Sequence, residues 1–518
     1  MGRSFFRLIV AAVAAVMCAA GPASGSPTQP TDTWVYPYLE ELRLREGGPG
    51  FFIMTGPYGR QDLAGWLAAR ASAGPDVEPR SAWLAAMLAE EFAPEAALAA
   101  RGGRLLSGSA RLGCRLETDR KIKPEALLAL DAYAGDGLSL WTRLRVTANS
   151  PAAHAVEAEP WREEGRASFD QGGVAFRRGA WSIFAGRDAV AWSPTPGLGL
   201  VLNGAAPAFD MVKLSVATGR LAFTSLHSQL RAGEADPWYE LAYVHRYLSA
   251  HRLEVLVTPR LNLGMSEVVI YGGADREFEF GYLNPAGAFY AEQWNSGAED
   301  NILVSVDGAL LLPGRAEVRA EVLFDDFQID SGSEPNEIGL GLSATAANPL
   351  RPGASLAGVT YALVTNRTYG HRLDLNRFVQ ENEVMGFAAG PDADRLEVWS
   401  SAAVRDCYQV RIGYTLERRG EGRVDDPQDE PGRSLRFPSG TVESTHTLSA
   451  EVSWRPSRAL SVEAAAEWSE VANAGNVDGQ DCDDARVALS LTYDLRWLRV
   501  YPAAGACEAR PAARGEAP

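Results

Sequence analysis

Residues 315–324 read Arg-Ala-Glu-Val-Arg-Ala-Glu-Val-Leu-Phe. Ala316, Val318, Ala320, Val322 and Phe324 alternate with Arg315, Glu317, Arg319 and Glu321. A period of two is that of a β-strand, whose successive side chains leave opposite faces. The charged face says more than the apolar one. It sets acid and base in turn along one strand, as suits a wet lumen where charges can pair, while the residues opposite suit hydrocarbon.

The pattern recurs on both sides of this stretch. Within 251–263, Leu253, Val255, Val257, Leu261 and Leu263 share a face against Arg252, Glu254, Thr258, Arg260 and Asn262. Tyr408, Val410, Ile412, Tyr414 and Leu416 do the same in 408–417, as do Leu448, Ala450, Val452 and Trp454 in 448–454. Val462, Ala464, Ala466 and Trp468 form another row, and Val487, Leu489, Leu491 and Tyr493 the last. From Gly103 onward such runs, parted by Gly, Pro, Asn and Asp turns, number roughly sixteen to twenty. A soluble β-sandwich shares the alternation. The mixed charges on the polar face favour a membrane barrel. So does the placing of Trp141, Trp399, Trp454, Trp468 and Trp497 near strand ends, where interfacial aromatic girdles would sit. The expected fold is therefore mainly β: a large antiparallel outer-membrane β-barrel.

The N-terminal part differs. Arg3 and Arg7 precede an apolar run from Leu8 to Ala20 and a small-residue site at Ala23-Ser24-Gly25, the layout of a cleaved secretory signal over 1–25. Cys18 follows Met17, where a lipid-anchor site would need a small residue. From Trp34 to Ala100 the apolar spacing is helical: Tyr38, Leu39, Leu42; Leu63, Trp66, Leu67; Trp83, Leu84, Met87, Leu88, Phe92. This stretch (33–100) reads as a small helical cap packed on something larger. The barrel is expected over 103–500 and a polar tail over 501–518. Two segments break the alternation, 273–300 and 420–440, and read as surface loops or an inward plug.

Composition excludes some functions. With 49 Lys+Arg against 66 Asp+Glu in 518 residues, the net charge of -17 opposes nucleic-acid binding. Cys114, Cys407, Cys482 and Cys507 lie far apart without metal-type spacing, and leave room for up to two disulfides of unassigned pairing. No HExxH, GxSxG or phosphate-loop motif occurs, and the six His (154, 227, 245, 251, 371, 446) are scattered. Asp325 and Asp326 cannot be a glycosidase pair, because neighbours on a strand face opposite ways. The acidic run Asp478 to Asp484 lacks the regular ligand spacing of a calcium loop, and Asn366-Arg367-Thr368 is read as a chance match to a glycosylation acceptor. No metal, cofactor or catalytic residue is expected. Carbohydrate binding remains, since rings stack on sugars and Arg forks pair with uronic acids. The cluster Gly186 to Pro194, with Arg187 and Trp192, is of that kind.

Several stretches together resemble the capsule assembly Wzi family. They are Phe184-Ala185-Gly186-Arg187 with Trp192; Leu200 to Asp210; His251-Arg252-Leu253 with Leu263 to Tyr271; and Tyr282-Leu283-Asn284-Pro285 with Phe289-Tyr290. Asp300-Asn301-Ile302-Leu303, Glu321 to Asp330, Met385-Gly386-Phe387 and Gly390-Pro391-Asp392 follow in order, and Tyr38 to Arg43 resembles the family's helical start. Two departures are Ser193 in place of the glycine expected after Trp192, and a polar C-terminus in place of a terminal aromatic, which leaves Tyr493 and Trp497 as internal substitutes. The resemblance implies about eighteen strands, helices blocking the periplasmic side, and a lectin-like role. That role is to hold capsular or extracellular polysaccharide at the surface of a Gram-negative cell, as a monomer seated in outer-membrane lipid. Arg187, Trp192, Glu267, Tyr282 and Asn284 are its expected glycan contacts. The net acidity leaves three ways to hold an anionic capsule: local Arg patches, bridging divalent cations, or a neutral ligand. A porin-like channel and a glycan-processing enzyme are the rival readings.

Overall fold

The computed structural model describes residues 27–501, except 32, 48–51, 71–77, 120, 136, 149–164, 194–197, 205, 231–244, 274–275, 286, 327–336, 350–354, 382 and 427–435. The expected signal, nearly all of the C-terminal tail and Cys507 thus lie outside the described residues.

Four helices come first: α1 (Val35–Glu46), α2 (Arg60–Arg70), α3 (Pro79–Glu91) and α4 (Ala93–Arg101). Eighteen strands follow: β1 (Arg104–Glu117), β2 (Ile122–Gly135), β3 (Leu138–Ala148), β4 (Gly165–Arg178), β5 (Trp181–Asp188), β6 (Phe209–Ala217), β7 (Leu221–Leu230), β8 (His245–Thr258) and β9 (Leu261–Gly273). A short helix, α5 (Phe289–Ser296), precedes β10 (Asn301–Leu312), β11 (Ala316–Asp326), β12 (Glu337–Ala347), β13 (Ser355–Val364), β14 (Ala393–Arg405), β15 (Tyr408–Arg419), β16 (Glu443–Trp454), β17 (Leu460–Ala472) and β18 (Cys482–Tyr501). Each strand pairs antiparallel with the next, and β1 closes on β18 in a register from Arg104↔Tyr501 to Glu117↔Ala488. Closure leaves the wall without an edge, so every strand has a hydrogen-bonded neighbour on both sides, as hydrocarbon demands.

The polarity of the wall is inverted relative to a soluble protein. Val318, Met265, Val306, Ile412, Leu448 and Val487 are exposed, whereas Glu317, Arg319, Glu321, Asp307 and Ser139 on the alternate positions are buried. The apolar rows thus face outward as a lipid band, and the charged rows face a filled lumen. This excludes the sandwich. Three expectations need correction. The 251–263 row is two strands joined at Pro259-Arg260, although its apolar residues still share the outer face. Trp141 points inward, stacked on Phe184 at 5.1 Å, and Trp399 also points inward, beneath the Arg411 guanidinium at 4.2 Å. The expected girdle keeps Trp454, stacked on Tyr408 at 6.0 Å, together with exposed Trp468 and Trp497. No disulfide forms among the described cysteines: Cys114, Cys407 and Cys482 are free thiols.

Short turns follow the even-numbered strands from β2 to β16, at the end that also holds the start of β1 and the finish of β18. Such turns mark the periplasmic side of these barrels. The helices dock there, by charge. Arg43 forks onto Glu317 at 2.8 and 2.6 Å, and Glu40 accepts from Arg319 at 2.5 Å. Arg60 holds Glu95 and Glu91 at 2.6 and 3.0 Å, and Arg496 of β18 joins Glu91 at 2.5 Å. Burial raises the Glu91 carboxyl, but Arg60, Arg496 and Arg458 outweigh it and hold it at about 2. Glu40 is likewise raised by burial and held at about 2 by Arg319 and Arg43.

From the long-loop side, two loops fold inward. One carries Ala191–Trp192 and Leu202–Asn203, which form a three-stranded sheet with Thr55–Gly56 of the N-terminal segment. The other spans 365–392 and includes the strand pair Val379–Gln380 and Glu383–Val384. Between them Trp192, Leu200, Leu202, Tyr369, Phe378 and Phe387 are core residues against inward Leu226, Leu248, Val268 and Leu303. Gly386 permits this approach, because a Cβ there would lie 2.5 Å from the Leu200 carbonyl oxygen and 2.6 Å from the Tyr369 ring. Asp325 accepts from the Tyr369 amide, so one member of the acidic doublet anchors this loop. Of the two alternatives open for 273–300, surface loop or inward plug, the structure takes the first: Tyr282 and Phe289 pack on the outer wall.

Two outcomes follow from the ionic docking. Arg60→Ala leaves Glu91 and Glu95 without their shared buried cation and is expected to cost about 3–5 kcal/mol in helix docking. The check is hydrogen exchange: α2–α4 should lose protection while the barrel keeps its heat-modifiable migration. Because Glu40 and Glu91 are depressed to about 2, their contribution is complete above the ordinary carboxyl value of about 4.3 and lost as pH falls toward 2. Planar-bilayer conductance should stay flat from pH 7 to about 5 and rise only at lower pH.

Candidate functional site

The helices and inward loops leave one side of the lumen less filled. A cavity of about 970 Å³ lies there, walled by β1–β3 and β15–β18 and floored by the segment Thr31–Glu40. The alternate polar residues of these strands supply the lining. Arg111, Lys123, Arg145, Arg411, Arg455 and Arg458 meet Glu117, Glu125, Glu451, Glu463 and Asp494 across it. Arg145 donates to Glu125 at 2.7 Å, Arg455 to Glu463 at 3.4 Å, and Arg458 lies 3.4 Å from Asp494. The Arg411 guanidinium, stacked on Trp399, stays exposed to the cavity and is 3.0 Å from Glu397.

Aromatic rings form the floor. Arg455 stacks on Trp34 at 5.1 Å, and Tyr38 lies against Trp83 at 5.5 Å. Burial pushes the Tyr38 phenol up against the pull of Arg455 and Arg80, and burial also lowers Arg455 from its ordinary value. A second cavity of about 440 Å³ shares Thr31, Tyr36 and Arg145 with the first and is lined further by Tyr58, Gln171, Arg187 and Asn203. Rings beside cationic forks can stack on pyranose faces while pairing with carboxylates or hydroxyls. Among the described residues, no three His, Cys, Asp or Glu side chains converge as a metal site.

The five expected contact residues do not form one site. Arg187 is at the long-loop rim, paired with Asp210 at 2.9 Å, and lines the smaller cavity. Trp192 is 1% exposed within the lumenal core, so its ring is not open to a sugar. Tyr282 is wholly buried and donates to Asp300 at 2.5 Å; burial, then the Asp300 carboxylate, push its phenol well up. Glu267 is also buried, accepting from His251 at 2.8 Å and from the Tyr290 amide at 3.0 Å. Asn284 is exposed, on the outer wall. Glu267, Tyr282 and Asn284 therefore belong to a structure outside the barrel, away from the lumen. Sequence reasoning missed Trp34, Arg411, Arg455 and Arg458. The alternation marked Arg411 as inward, but nothing local tied it to Trp399 twelve residues earlier in the adjacent strand.

A family model described as capsule assembly protein Wzi matches residues 116–485. The chain belongs to this family. Among solved structures, Wzi of Escherichia coli is similar with a TM-score of 0.60, at 12% identity, over 91% of this chain and 99% of that one. That protein is described as an outer-membrane protein involved in group 1 capsule assembly and as a carbohydrate-binding β-barrel. OprD of Pseudomonas aeruginosa gives a TM-score of 0.44 at 11% identity, over 76% of this chain and 95% of that one. No curated protein sequence matches. With its Wzi membership and its lipid-facing band, the chain is a β-barrel of a Gram-negative outer membrane. Its Trp192 is a packing residue on this geometry. Trp192→Ala is expected to cost about 3–5 kcal/mol, read as a lowered unfolding midpoint of the purified barrel.

Proposed function

We propose that this chain is a non-enzymatic, lectin-like anchor that holds capsular or extracellular polysaccharide at the cell surface. The observation that carries the reading is the cavity over Trp34, where an aromatic floor and stacked arginines line a space of about 970 Å³ in the lumen. Membership of a capsule assembly family supports the substrate class. The similar E. coli structure, named for carbohydrate binding, supports it further. Arg111, Arg411, Arg455 and Arg458 gather on this side, so the local surroundings are not acidic even though the chain carries -17 overall. This favours local arginines over bridging cations as the means of meeting an anionic glycan. Arg187 and Asn284 remain proposed secondary contacts at the rim and on the outer wall.

A filled lumen speaks against the porin-like rival, since helices at one mouth and an apolar core at the other leave no wide aqueous path among the described residues. In cells, deleting the gene should shift polysaccharide from the cell-attached to the shed fraction, and unchanged retention would sink the anchor reading. In vitro, Arg411→Ala and Trp34→Ala should each weaken binding of purified polysaccharide by about tenfold, some 1.4 kcal/mol. Release of shortened saccharide by the purified protein would instead favour an enzyme.

A further inference from the structure

The segment between β9 and β10 has an unusual position. On β8 the outward row runs from Val257, Val255 and Leu253 to His251, Ser249 and Tyr247; on β9 it runs from Leu263 and Met265 to Glu267, Val269 and Tyr271. Below Glu267 this row is exposed and apolar. From Glu267 upward it is covered, by the turn Phe280–Leu283 and by α5. Phe289 stacks on His251 at 4.3 Å, Tyr282 lies against Tyr271 at 4.9 Å, and the Tyr290 amide donates to Glu267 at 3.0 Å. Phe278 sets its edge on His227 at 6.0 Å, and Gln293 ties α5 to the Asp300 carbonyl at 2.7 Å.

Height decides what this flap meets. Glu267 stands six residues along β9 from Leu261, roughly 15 Å above the periplasmic turn once the strand tilt is counted, whereas the lipid band of such barrels is about 25 Å tall. The flap therefore overlaps the upper part of the band, where lipid would otherwise touch the wall. The wall beneath it is polar: His227 bonds Ser225 at 3.2 Å and Ser249 at 3.0 Å, and His251 bonds Glu267 at 2.8 Å. Bare to acyl chains, these groups would be costly. The flap's own far side is aromatic, with Phe280 83%, Trp294 76% and Tyr290 60% exposed. Tyr290 and Trp294, one helical turn apart and 6.4 Å between centroids, face away from the barrel.

We propose that the turn Phe280–Leu283 and α5 form an outer-leaflet lipid seat. Phe280, Tyr290 and Trp294 enter the boundary between acyl chains and headgroups, and the flap stands in for lipid over the polar wall. Three observations meet here: the continuity of these rings with the exposed row ending at Met265, their type, which is that of interfacial girdles, and a polar wall that tolerates no acyl chain. The proposal rests on the outer-membrane location and not on the glycan reading.

The test uses the full chain in lipid vesicles, with its cysteines replaced by alanine and a nitroxide placed singly at Phe280→Cys, Tyr290→Cys or Trp294→Cys. Met265→Cys serves as the lipid-facing control and Asp478→Cys, on an exposed loop, as the aqueous one. Spin relaxation by oxygen and by a water-soluble nickel chelate is compared, with heat-modifiable migration certifying each folded barrel. Oxygen access should exceed nickel access several-fold at the flap positions, as at Met265→Cys. Nickel access like that of Asp478→Cys would overturn the proposal, and so would low access to both reagents, which would mean a second copy or another protein covering the flap. Independently of the cysteine variants, brominated lipid should quench wild-type tryptophan emission more than that of Trp294→Phe; equal quenching would count against the seat.

Discussion

A charge in the filled part of this barrel's lumen has lost most of its water, and the structure depends on giving such charges hydrogen-bonding partners. Eighteen alternating strands enclose a wide space and line it with ionised residues. Apolar helices alone could not fill it, because buried carboxylates without cations are costly. Hence the filling elements carry complementary charge. Arg43 meets Glu317, and wall residue Arg252 meets Asp307 at 2.7 and 2.8 Å while also donating to Thr55 of the N-terminal segment. Thr55 passes the contact to Glu254 at 2.5 Å. Where the wall turns apolar, at Leu226, Leu248, Val268 and Leu303, the loops that meet it are apolar as well.

This matching divides the lumen. The side built from β4 to β14 is closed by the inward loops around a dry core, with Trp192 and Phe387 fully buried. The side built from β15 through β18 to β3 keeps its charged rows facing a cavity. A barrel made for conduction would be expected to keep a continuous wet path. Here the space that remains is lateral and roofed on one flank by apolar packing, a shape suited to holding one part of a long ligand whose remainder stays outside.

How far the chain could be read from its residues depended on range. Alternation at 315–324 and 487–493 identified strands, and the mixed signs at Glu317 and Arg319 identified the lumenal face, because both are properties of neighbours along the chain. The helical stripes at Leu39, Leu42, Leu84 and Leu88 became the first helices' core for the same reason. Trp192, Tyr282 and Glu267 stood out by chemical type, yet type alone cannot say that Trp192 enters an inward sheet or that Glu267 faces outward under a flap. Likewise the pairing of Arg411 with Trp399, or of Arg455 with Trp34, follows from strand register and helix docking across long stretches of chain.

Glu91 bears on how the molecule is put together. It sits at the end of α3, early in the chain, and its cations come from Arg60 in α2, Arg496 in β18 and Arg458 in the turn before β17. Glu95 of α4, held by the same Arg60, also accepts from Tyr133 of β2 at 3.1 Å. The ion cluster thus joins the first-made helices to the strands on both flanks of the closing seam between β1 and β18. Arg60 comes from the helices themselves, whereas Arg458, Arg496 and Tyr133 come from the barrel. The full set of partners for these two carboxylates thus exists only in the closed barrel, where the helices lock together the two ends of the sheet.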